Sequence, residues 1–174
     1  MKVLETNRLI LRWFSGDDAG FIHELLNEPA WIAFIGDRGI QSLQDARNYI
    51  ETVAIASYVR HGFGLFAIEL KPQATVIGMC GLIKREGLED VDLGFALLSR
   101  FEGQGMASEA AAATLDYARN SLELQRVVAI TRQDNERSRR VLERIGLRFE
   151  RLVRLSADSA ELRLYSISLT AEER

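Results

Sequence analysis

Residues 100–107, Arg100-Phe101-Glu102-Gly103-Gln104-Gly105-Met106-Ala107, form a glycine turn between an apolar run at 91–98 and a helical pattern that continues to about Ser121. Two glycines let the backbone turn sharply and lie close to a ligand. The first N–H groups of a helix have no acceptor within that helix and lie at the positive end of its dipole. The glycine turn therefore predicts a phosphate or pyrophosphate site made by main-chain N–H groups, with simple entry into a helix as the alternative.

The same turn is one residue short of the GxGxxG fingerprint of dinucleotide-binding folds, because Ser108 stands where the third glycine is needed for close helix packing. In those folds the fingerprint follows the first strand directly, whereas here several strand-like runs precede residue 100. A dinucleotide-binding oxidoreductase is therefore a weaker alternative. A P-loop is excluded, because the chain contains no Gly-Lys-Ser or Gly-Lys-Thr.

The composition is that of one globular domain over residues 1–174, with 47% hydrophobic and 27% charged residues. A formal net charge of -3 gives no general attraction to nucleic acid. The single cysteine, Cys80, excludes an internal disulfide, and with two histidines it offers no zinc-type cluster, so we expect no metal and a buried thiol. No apolar run approaches the ~18 residues of a membrane span. We expect a cytoplasmic protein with no membrane partner.

The spacing of apolar residues predicts an α+β (mixed α/β) fold, with strands in the middle of the chain and helices on either side of them in sequence. Helices are predicted to start at the capping boxes Ser15 to Asp18 and Ser42 to Asp45, with an irregular link between them over 29–41. Gly146 is placed to cap a helix over 138–145. The predicted strands are 9–14, 63–70, 75–84, 91–98, 127–131, 147–155 and 160–169, the second to fourth forming an antiparallel meander.

The pattern Arg-x-x-Gly-x-Gly-x-Ala in the glycine turn resembles the acyl-CoA pyrophosphate signature of the GNAT N-acetyltransferases. Three further segments are similar to that family in the same order: Asp92-Leu93-Gly94-Phe95, Ala107-Ser108-Glu109-Ala110, and Asn135-Glu136-Arg137-Ser138 leading to Ile145-Gly146-Leu147. The opening Glu5-Thr6-Asn7-Arg8-Leu9-Ile10-Leu11-Arg12 resembles the RimJ/RimL-like branch of ribosomal-protein acetyltransferases. The resemblance spans nearly the whole chain and is strongest over 91–149.

This resemblance implies the GNAT fold, a central mixed, mostly antiparallel sheet of six to seven strands with a splayed parallel pair and about four helices. It implies acetyl-CoA as co-substrate, with the pantetheine arm between the strands at 91–98 and 126–131. Without the family, Asn135 is more simply a helix-start residue and Ser138 a surface residue. The expected cofactor-binding residues are Phe95, Ala96 and Leu97 through their main chains, with Arg100, Gly103, Gln104, Gly105, Met106, Ala107, Asn135 and Ser138.

Asp92 and Ser138 are the expected catalytic residues. Asp92 is an acidic residue within an apolar strand and would take the proton of the attacking amine, the alternative being a structurally bonded carboxylate. Its replacement by asparagine is expected to slow transfer more at low pH than at high pH. The family often has a tyrosine where this chain has Leu142, so Ser138 is the expected proton donor to the thiolate, with Tyr165 or solvent as alternatives.

The function implied by the resemblance is acetyl transfer to a primary amine, of a protein N-terminus or a small molecule, by direct attack in a ternary complex. Leu142 keeps open a non-catalytic acyl-CoA-binding or interaction module on the same fold. Trp31, Phe34 and Ile35 are expected either to line the acceptor site or to lie in the core. The acidic chain slightly favours a cationic amine. A monomer or a homodimer is expected.

Overall fold

A computed structural model of the protein describes residues 1–170, which form one mixed sheet of eight strands. The strands are β1 (Lys2–Glu5), β2 (Leu9–Arg12), β3 (Leu65–Leu70), β4 (Thr75–Ile83), β5 (Asp92–Leu97), β6 (Arg126–Arg132), β7 (Arg148–Val153) and β8 (Leu162–Ser168). Their order is β1-β2-β3-β4-β5-β6-β8-β7, and only β5 and β6 pair in parallel within this part of the chain. The predicted mixed sheet with one parallel pair is confirmed, and β1 is a strand that the sequence pattern did not predict.

The α-helices of the described chain are α1 (Ala19–Leu26), α2 (Pro29–Phe34), α3 (Leu43–Tyr49), α4 (Ala56–His61), α5 (Met106–Asn120) and α6 (Glu136–Arg144). A π-helical segment, Ile50–Ile55, joins α3 to α4, and short 3-10 turns are formed by Gly16–Asp18 and Ser99–Phe101. The predicted capping box of α3 is present, since Ser42 Oγ accepts from Asp45 N and Ser42 N donates to Asp45 Oδ2, both at 3.0 Å. The irregular link expected over 29–41 is wrong in its first part. Pro29 follows the end of α1 and also begins α2, because a proline at the first helical position gives up no intrahelical hydrogen bond.

Both faces of the sheet are covered by helices. Cys80 and Phe95 are register partners in β4 and β5, and Cys80 Sγ lies 3.4 Å from Thr114 Oγ1 of α5, so this face carries α5. Side chains alternate along a strand, so Asp92 and Ala96 point to the opposite face, against which α1 packs. Among the helices of residues 1–170, none has the length and apolar content that crossing a bilayer requires.

The parallel strands β5 and β6 are joined at one end only. Their single register pair is Asp92 with Val128, supported by a hydrogen bond from Val128 N to Val91 O at 3.0 Å. Beyond that pair the strands diverge, and β5 continues to the glycine turn while α5 leads the chain back to β6. The sheet therefore opens into a gap whose edges are two backbones, and this gap positions the site.

Candidate active site

A cleft of about 1100 Å³ lies where β5 and β6 separate. The strand β5 and the glycine turn form one side, β6 and α6 form the other, and α2 and α3 close the far end. Most of the site residues predicted from the sequence are brought together here. Those that line the cleft are Asp92, Phe95, Ala96, Leu97, Gly103, Gly105, Met106, Ala107, Asn135 and Ser138.

The backbone of β5 offers free polar groups to the gap. Leu98 N donates to Ile77 O at 2.9 Å, so the even-numbered residues of β5 form the hydrogen-bonded pairs with β4. The backbone groups of Phe95 and Leu97 therefore point toward β6, which has already diverged. Those of Ala96 pair with Met79, so Ala96 meets the cleft through its side chain rather than through the main-chain contact expected from the sequence.

The glycine turn has the backbone conformation that its glycines predict. Gly103 and Gly105 have φ of +78° and +79°, a left-handed region that side chains with a Cβ rarely adopt. Glu109 N donates to Gly105 O at 3.0 Å, so the N–H groups of Met106, Ala107 and Ser108 precede the first intrahelical bond of α5. A Cβ added at Gly103 would meet no atom of residues 1–170 within 4 Å. The turn is therefore an open anion cradle at the start of a 15-residue helix.

Two of the predicted turn residues point away from the cleft. The guanidinium of Arg100 forms an ion pair with Glu24 of α1. Gln104 is bound through its main-chain oxygen, which accepts from Arg8 Nη1 at 2.9 Å. The side chain of Arg100 and the main-chain oxygen of Gln104 therefore fix the turn to neighbouring elements, and neither residue lines the cleft.

A bracing contact behind the turn was missed by the sequence reasoning. Glu109 of α5 accepts hydrogen bonds from Thr6 Oγ1 at 2.6 Å, Arg8 N at 3.0 Å and Arg8 Nε at 2.7 Å. These bonds tie the segment between β1 and β2 to the first turn of α5. The partners lie about a hundred positions apart in the sequence, so no local pattern could have paired them.

The helix α6 begins at the cleft. Asn135 Oδ1 accepts from Ser138 N at 3.2 Å, so Asn135 is the N-cap that its position predicted. The hydroxyl of Ser138 has no hydrogen-bond partner among residues 1–170 and lines the cleft. Leu142 lies one turn further along and is 1% exposed. Tyr165, the alternative proton donor, is buried in β8 opposite Ala129 and does not line the cleft.

Asp92 lies where the two strands begin to separate. Its side chain is buried, and Oδ2 accepts from Arg85 Nε at 2.9 Å, while Oδ1 has no hydrogen-bond partner in the described chain. Burial raises the pKa of Asp92 to about 6, and the charge and hydrogen bond of Arg85 oppose this rise. A carboxylate with this pKa is ionised at neutral pH and still basic enough to accept a proton.

The far end of the cleft combines aromatic and cationic side chains. Trp31 is 6% exposed and therefore belongs to the core, although it also lines the cleft, whereas Phe34 and Ile35 are partly exposed at the cleft wall. The sequence reasoning had left this choice open. Arg38, Tyr49 and Arg85 also line this end, and none of the three was predicted, because single polar residues in a loop, a helix and a strand end carry no motif.

The family model of the GNAT acetyltransferase domain matches residues 8–148, which include both sides of the cleft from β5 to α6. The chain belongs to the GNAT acetyltransferase family. The enzyme class predicted from the glycine turn and its neighbours, an N-acetyltransferase, is thereby confirmed. The match begins at Arg8, the residue that braces the turn.

Other members of the GNAT family share the length and shape of this chain. YoaA of Bacillus subtilis strain 168, named as an uncharacterized N-acetyltransferase, is 27% identical over 154 residues, which are 87% of this chain and 86% of YoaA. The crystal structure of an acetyltransferase from Agrobacterium tumefaciens C58 superposes with a TM-score of 0.81 and 28% identity, covering 96% and 94% of the two chains. RimL, a ribosomal L7/L12 acetyltransferase solved in complex with coenzyme A, shares the fold with a TM-score of 0.79 and 20% identity, covering 97% and 98%.

Other reactive side chains of this GNAT chain lie outside the cleft. Cys80 is fully buried, and burial raises the pKa of its thiol to about 12, which keeps it protonated. This agrees with the buried thiol predicted from its apolar surroundings. Within residues 1–170, no group of three His, Cys, Asp or Glu side chains is arranged to hold a metal ion.

Proposed function

We propose that this GNAT enzyme transfers the acetyl group of acetyl-CoA to a primary amine by direct attack in a ternary complex. The observation that carries the proposal is the continuous path from the open glycine turn, along the unpaired backbone edge of β5, to the buried carboxylate of Asp92. Each part of that path matches one need of the reaction: anion binding, placement of the thioester, and removal of a proton.

The fit of acetyl-CoA to the chain rests on main-chain groups. The N–H groups from Gly103 to Ala107 suit the pyrophosphate, since left-handed glycines and a helix start direct several donors to one place. The free backbone groups of Phe95 and Leu97 suit the amide groups of the pantetheine arm. The side-chain amide of Asn135 is a further candidate contact from α6.

Acetyl-CoA supplies an activated thioester, and the chain supplies donors and a proton acceptor. An N–H of β5 near Phe95 is proposed to stabilise the oxyanion, a contribution of roughly 3–4 kcal/mol in a cleft that excludes water. Asp92 is proposed to take the amine proton through one water, because its own carboxylate is buried. As the carbon–nitrogen bond forms and the carbon–sulfur bond breaks, the free hydroxyl of Ser138 is proposed to give its proton to the departing thiolate and to take one back from solvent, while Asp92 releases the amine proton to solvent.

A binding assay and an activity assay together test the proposal. Acetyl-CoA and CoA at about a hundred times their Kd are expected to raise Tm by about 5–10 °C, whereas NAD is expected to leave it unchanged. Thiol release is then measured over a panel of small amines and peptides. Stabilisation by NAD alone would reject the proposal. Stabilisation by acetyl-CoA without thiol release from any acceptor would favour the binding module.

A further inference from the structure

The far end of the cleft, which α2 and α3 close, is here called the acceptor end. It carries two guanidinium groups with N–H donors that are free to bind a ligand. Arg38 is exposed, lines the cleft and forms no hydrogen bond or ion pair with residues 1–170. Arg85 is held by one bond only, from Nε to Asp92 Oδ2 at 2.9 Å, and its two terminal nitrogens make no hydrogen bond within the described chain. A guanidinium held through Nε presents its remaining donors in a fixed direction.

Tyr49 lines the same cleft as both arginines. Burial raises the pKa of the Tyr49 phenol, and the charges of Arg38 and Arg85 both act on it in the opposite sense. Arg38 comes from the loop after α2, and Arg85 follows β4, so two distant segments bring positive charge to one aromatic side chain at the cleft wall. Arg38 and Arg85 therefore both lie at the wall of the cleft that Tyr49 lines.

The acidic groups near this space are already engaged. Asp92 is paired with Arg85, Glu28 accepts from Ser99 N and Oγ, and Asp37 accepts from Gly39 N. The Arg38 charge is therefore left without a partner in the described chain. The guanidinium of Arg38 can therefore bind an anionic group of a ligand without first breaking an ion pair.

Trp31 adds an aromatic wall at the same end. Its ring is 6% exposed and lines the cleft, and its Nε1 has no hydrogen-bond partner among residues 1–170. Because Nε1 itself is closed to solvent, Trp31 contributes its ring to the cleft wall, and the donors that a ligand can reach are those of the two arginines. A guanidinium carries donors and no acceptor, so Arg38 and Arg85 match a group that only accepts hydrogen bonds.

We infer that the amine acceptor carries an anionic group, a carboxylate or a phosphoryl group, which Arg38 and Arg85 bind while the amine lies toward Asp92. This inference rests on the proposed acetyl transfer and specifies its acceptor. It reverses the preference for a cationic amine that the net charge of -3 implied. The two guanidinium groups would contact the acceptor directly, whereas the charges on the rest of the surface are screened by salt.

The test compares matched acceptors in the thiol-release assay with saturating acetyl-CoA. One arm uses free amino acids against their amides, and a second arm uses aminoalkyl phosphates against the corresponding amino alcohols. In at least one pair, kcat/KM for the anionic acceptor is expected to be at least about tenfold higher than kcat/KM for its neutral partner. A factor of this size corresponds to the loss of one hydrogen bond to a charged group. The arm with the larger ratio identifies carboxylate or phosphoryl recognition.

Variants of Arg38 test whether the preference for an anionic acceptor depends on this side chain. Arg38→Gln is expected to raise KM for the anionic acceptor about tenfold and to leave KM for the neutral partner and for acetyl-CoA within about twofold. Arg38→Glu is expected to make the neutral member the better substrate. The control is Arg60→Gln, since Arg60 is exposed on α4 outside the cleft and is expected to change neither KM. Arg85 is not used, because its loss would also alter Asp92.

Failure of this inference is distinct from failure of the proposed function. Thiol release that is equal for the charged and neutral members of both pairs, or an anion preference that Arg38→Gln leaves intact, overturns the anionic acceptor alone. Efficient acetylation of peptides with a neutral C-terminal amide and no acidic side chain overturns it as well. Absence of thiol release with every acceptor overturns the proposed transfer, and the inference is then rejected with it.

Discussion

The two ends of the cleft are built from different parts of the chain. At the proposed coenzyme end, the glycine turn and β5 present main-chain N–H and C=O groups, and Arg100 and Gln104 do not line the cleft. At the proposed acceptor end, the cleft is lined by residues of α2, the following loop, α3 and the end of β4. The first end needs a particular backbone shape, whereas the second needs particular side chains.

This difference separates what the family has in common from what is specific to one chain. A backbone cradle tolerates many side chains provided that the glycines and the helix start are kept, so one coenzyme fits many sequences. When side chains form the acceptor pocket, a single substitution changes the shape or charge of the pocket. Membership in the GNAT family therefore supports acetyl-CoA as co-substrate, and it leaves the acceptor to be determined from residues such as Arg38 and Trp31.

The largest expected effect concerns Asp92, which lies between the two ends. Asp92→Asn is expected to lower kcat/KM by about 100-fold near pH 7.5, since a positioned general base contributes at least that much. Burial raises the pKa of Asp92 to about 6, so the wild-type rate should rise as pH increases through 6, and this rise should be absent in the variant. The measurement is a pH profile of thiol release for both proteins.

The raised pKa also limits the expectation drawn from the sequence, that the variant suffers most at low pH. Below pH 6 Asp92 is protonated in the wild type too, so the two rates should converge there. The ratio of the wild-type rate to the Asp92→Asn rate is therefore largest between pH 6 and the pKa of the amine. Asp18→Asn is the control, because Asp18 is a buried carboxylate paired with Arg12 outside the cleft. An unchanged profile in Asp92→Asn would leave Asp92 with a structural role only.

A middle-sized effect is expected at the glycine turn. Gly105→Ala places a Cβ on a backbone with φ of +79°, which costs about 1–2 kcal/mol and shifts the N–H groups that follow. We expect KM for acetyl-CoA to rise about tenfold, as loss of one charge-assisted hydrogen bond would produce, while KM for the acceptor changes little. Steady-state kinetics with each substrate varied in turn measures both values.

Gly62 provides a matched control for this strain. It ends α4 with the same φ of +79°, has no atom of residues 1–170 within 4 Å of an added Cβ, and lies outside the cleft. Gly62→Ala should lower Tm by about as much as Gly105→Ala does, roughly 2–8 °C, and should leave KM for acetyl-CoA unchanged. Equal KM values in the two variants would mean that the turn does not bind the coenzyme.

The contrast between the two ends also explains what the sequence could predict. The glycine turn, the Asn135 cap and the strand ending at Leu97 are local signals, because a left-handed glycine, a capping side chain and an apolar run each leave a mark within a few residues. The fold was predicted because these segments resemble those of the GNAT family and occur in the same order. Even at this end, the strand register was needed to show that the backbone groups of Ala96 bond to β4 and do not point toward β6.

The acceptor end could not be predicted in the same way. No sequence motif marks Arg38, Tyr49 or Arg85. They are brought to one cleft only by the folding of the segments that carry them. The pairing of Glu109 with Arg8 is similarly a long-range contact. Each depends on how distant segments pack, which a local pattern does not encode.

The smallest effect tests whether the coenzyme end depends on side chains behind the turn. Glu109→Gln keeps the shape of the side chain and weakens its bonds to Arg8, so we expect a loss of about 1–2 kcal/mol in stability and a fall in Tm of about 2–8 °C. Asp116→Asn on the same helix removes an exposed i,i+3 pair with Arg119 and should cost under about 0.5 kcal/mol.

The decisive readout for Glu109→Gln is KM for acetyl-CoA. Arg8 also donates to Gln104 O at 2.9 Å, so a looser Arg8 should relax the turn slightly and raise this KM by about two- to threefold, less than Gly105→Ala does. A larger rise than that of Gly105→Ala would show that a side-chain brace, rather than the backbone cradle, determines coenzyme binding. The two ends of the cleft would then be built on the same principle, and the coenzyme end would be as open to change by substitution as the acceptor end.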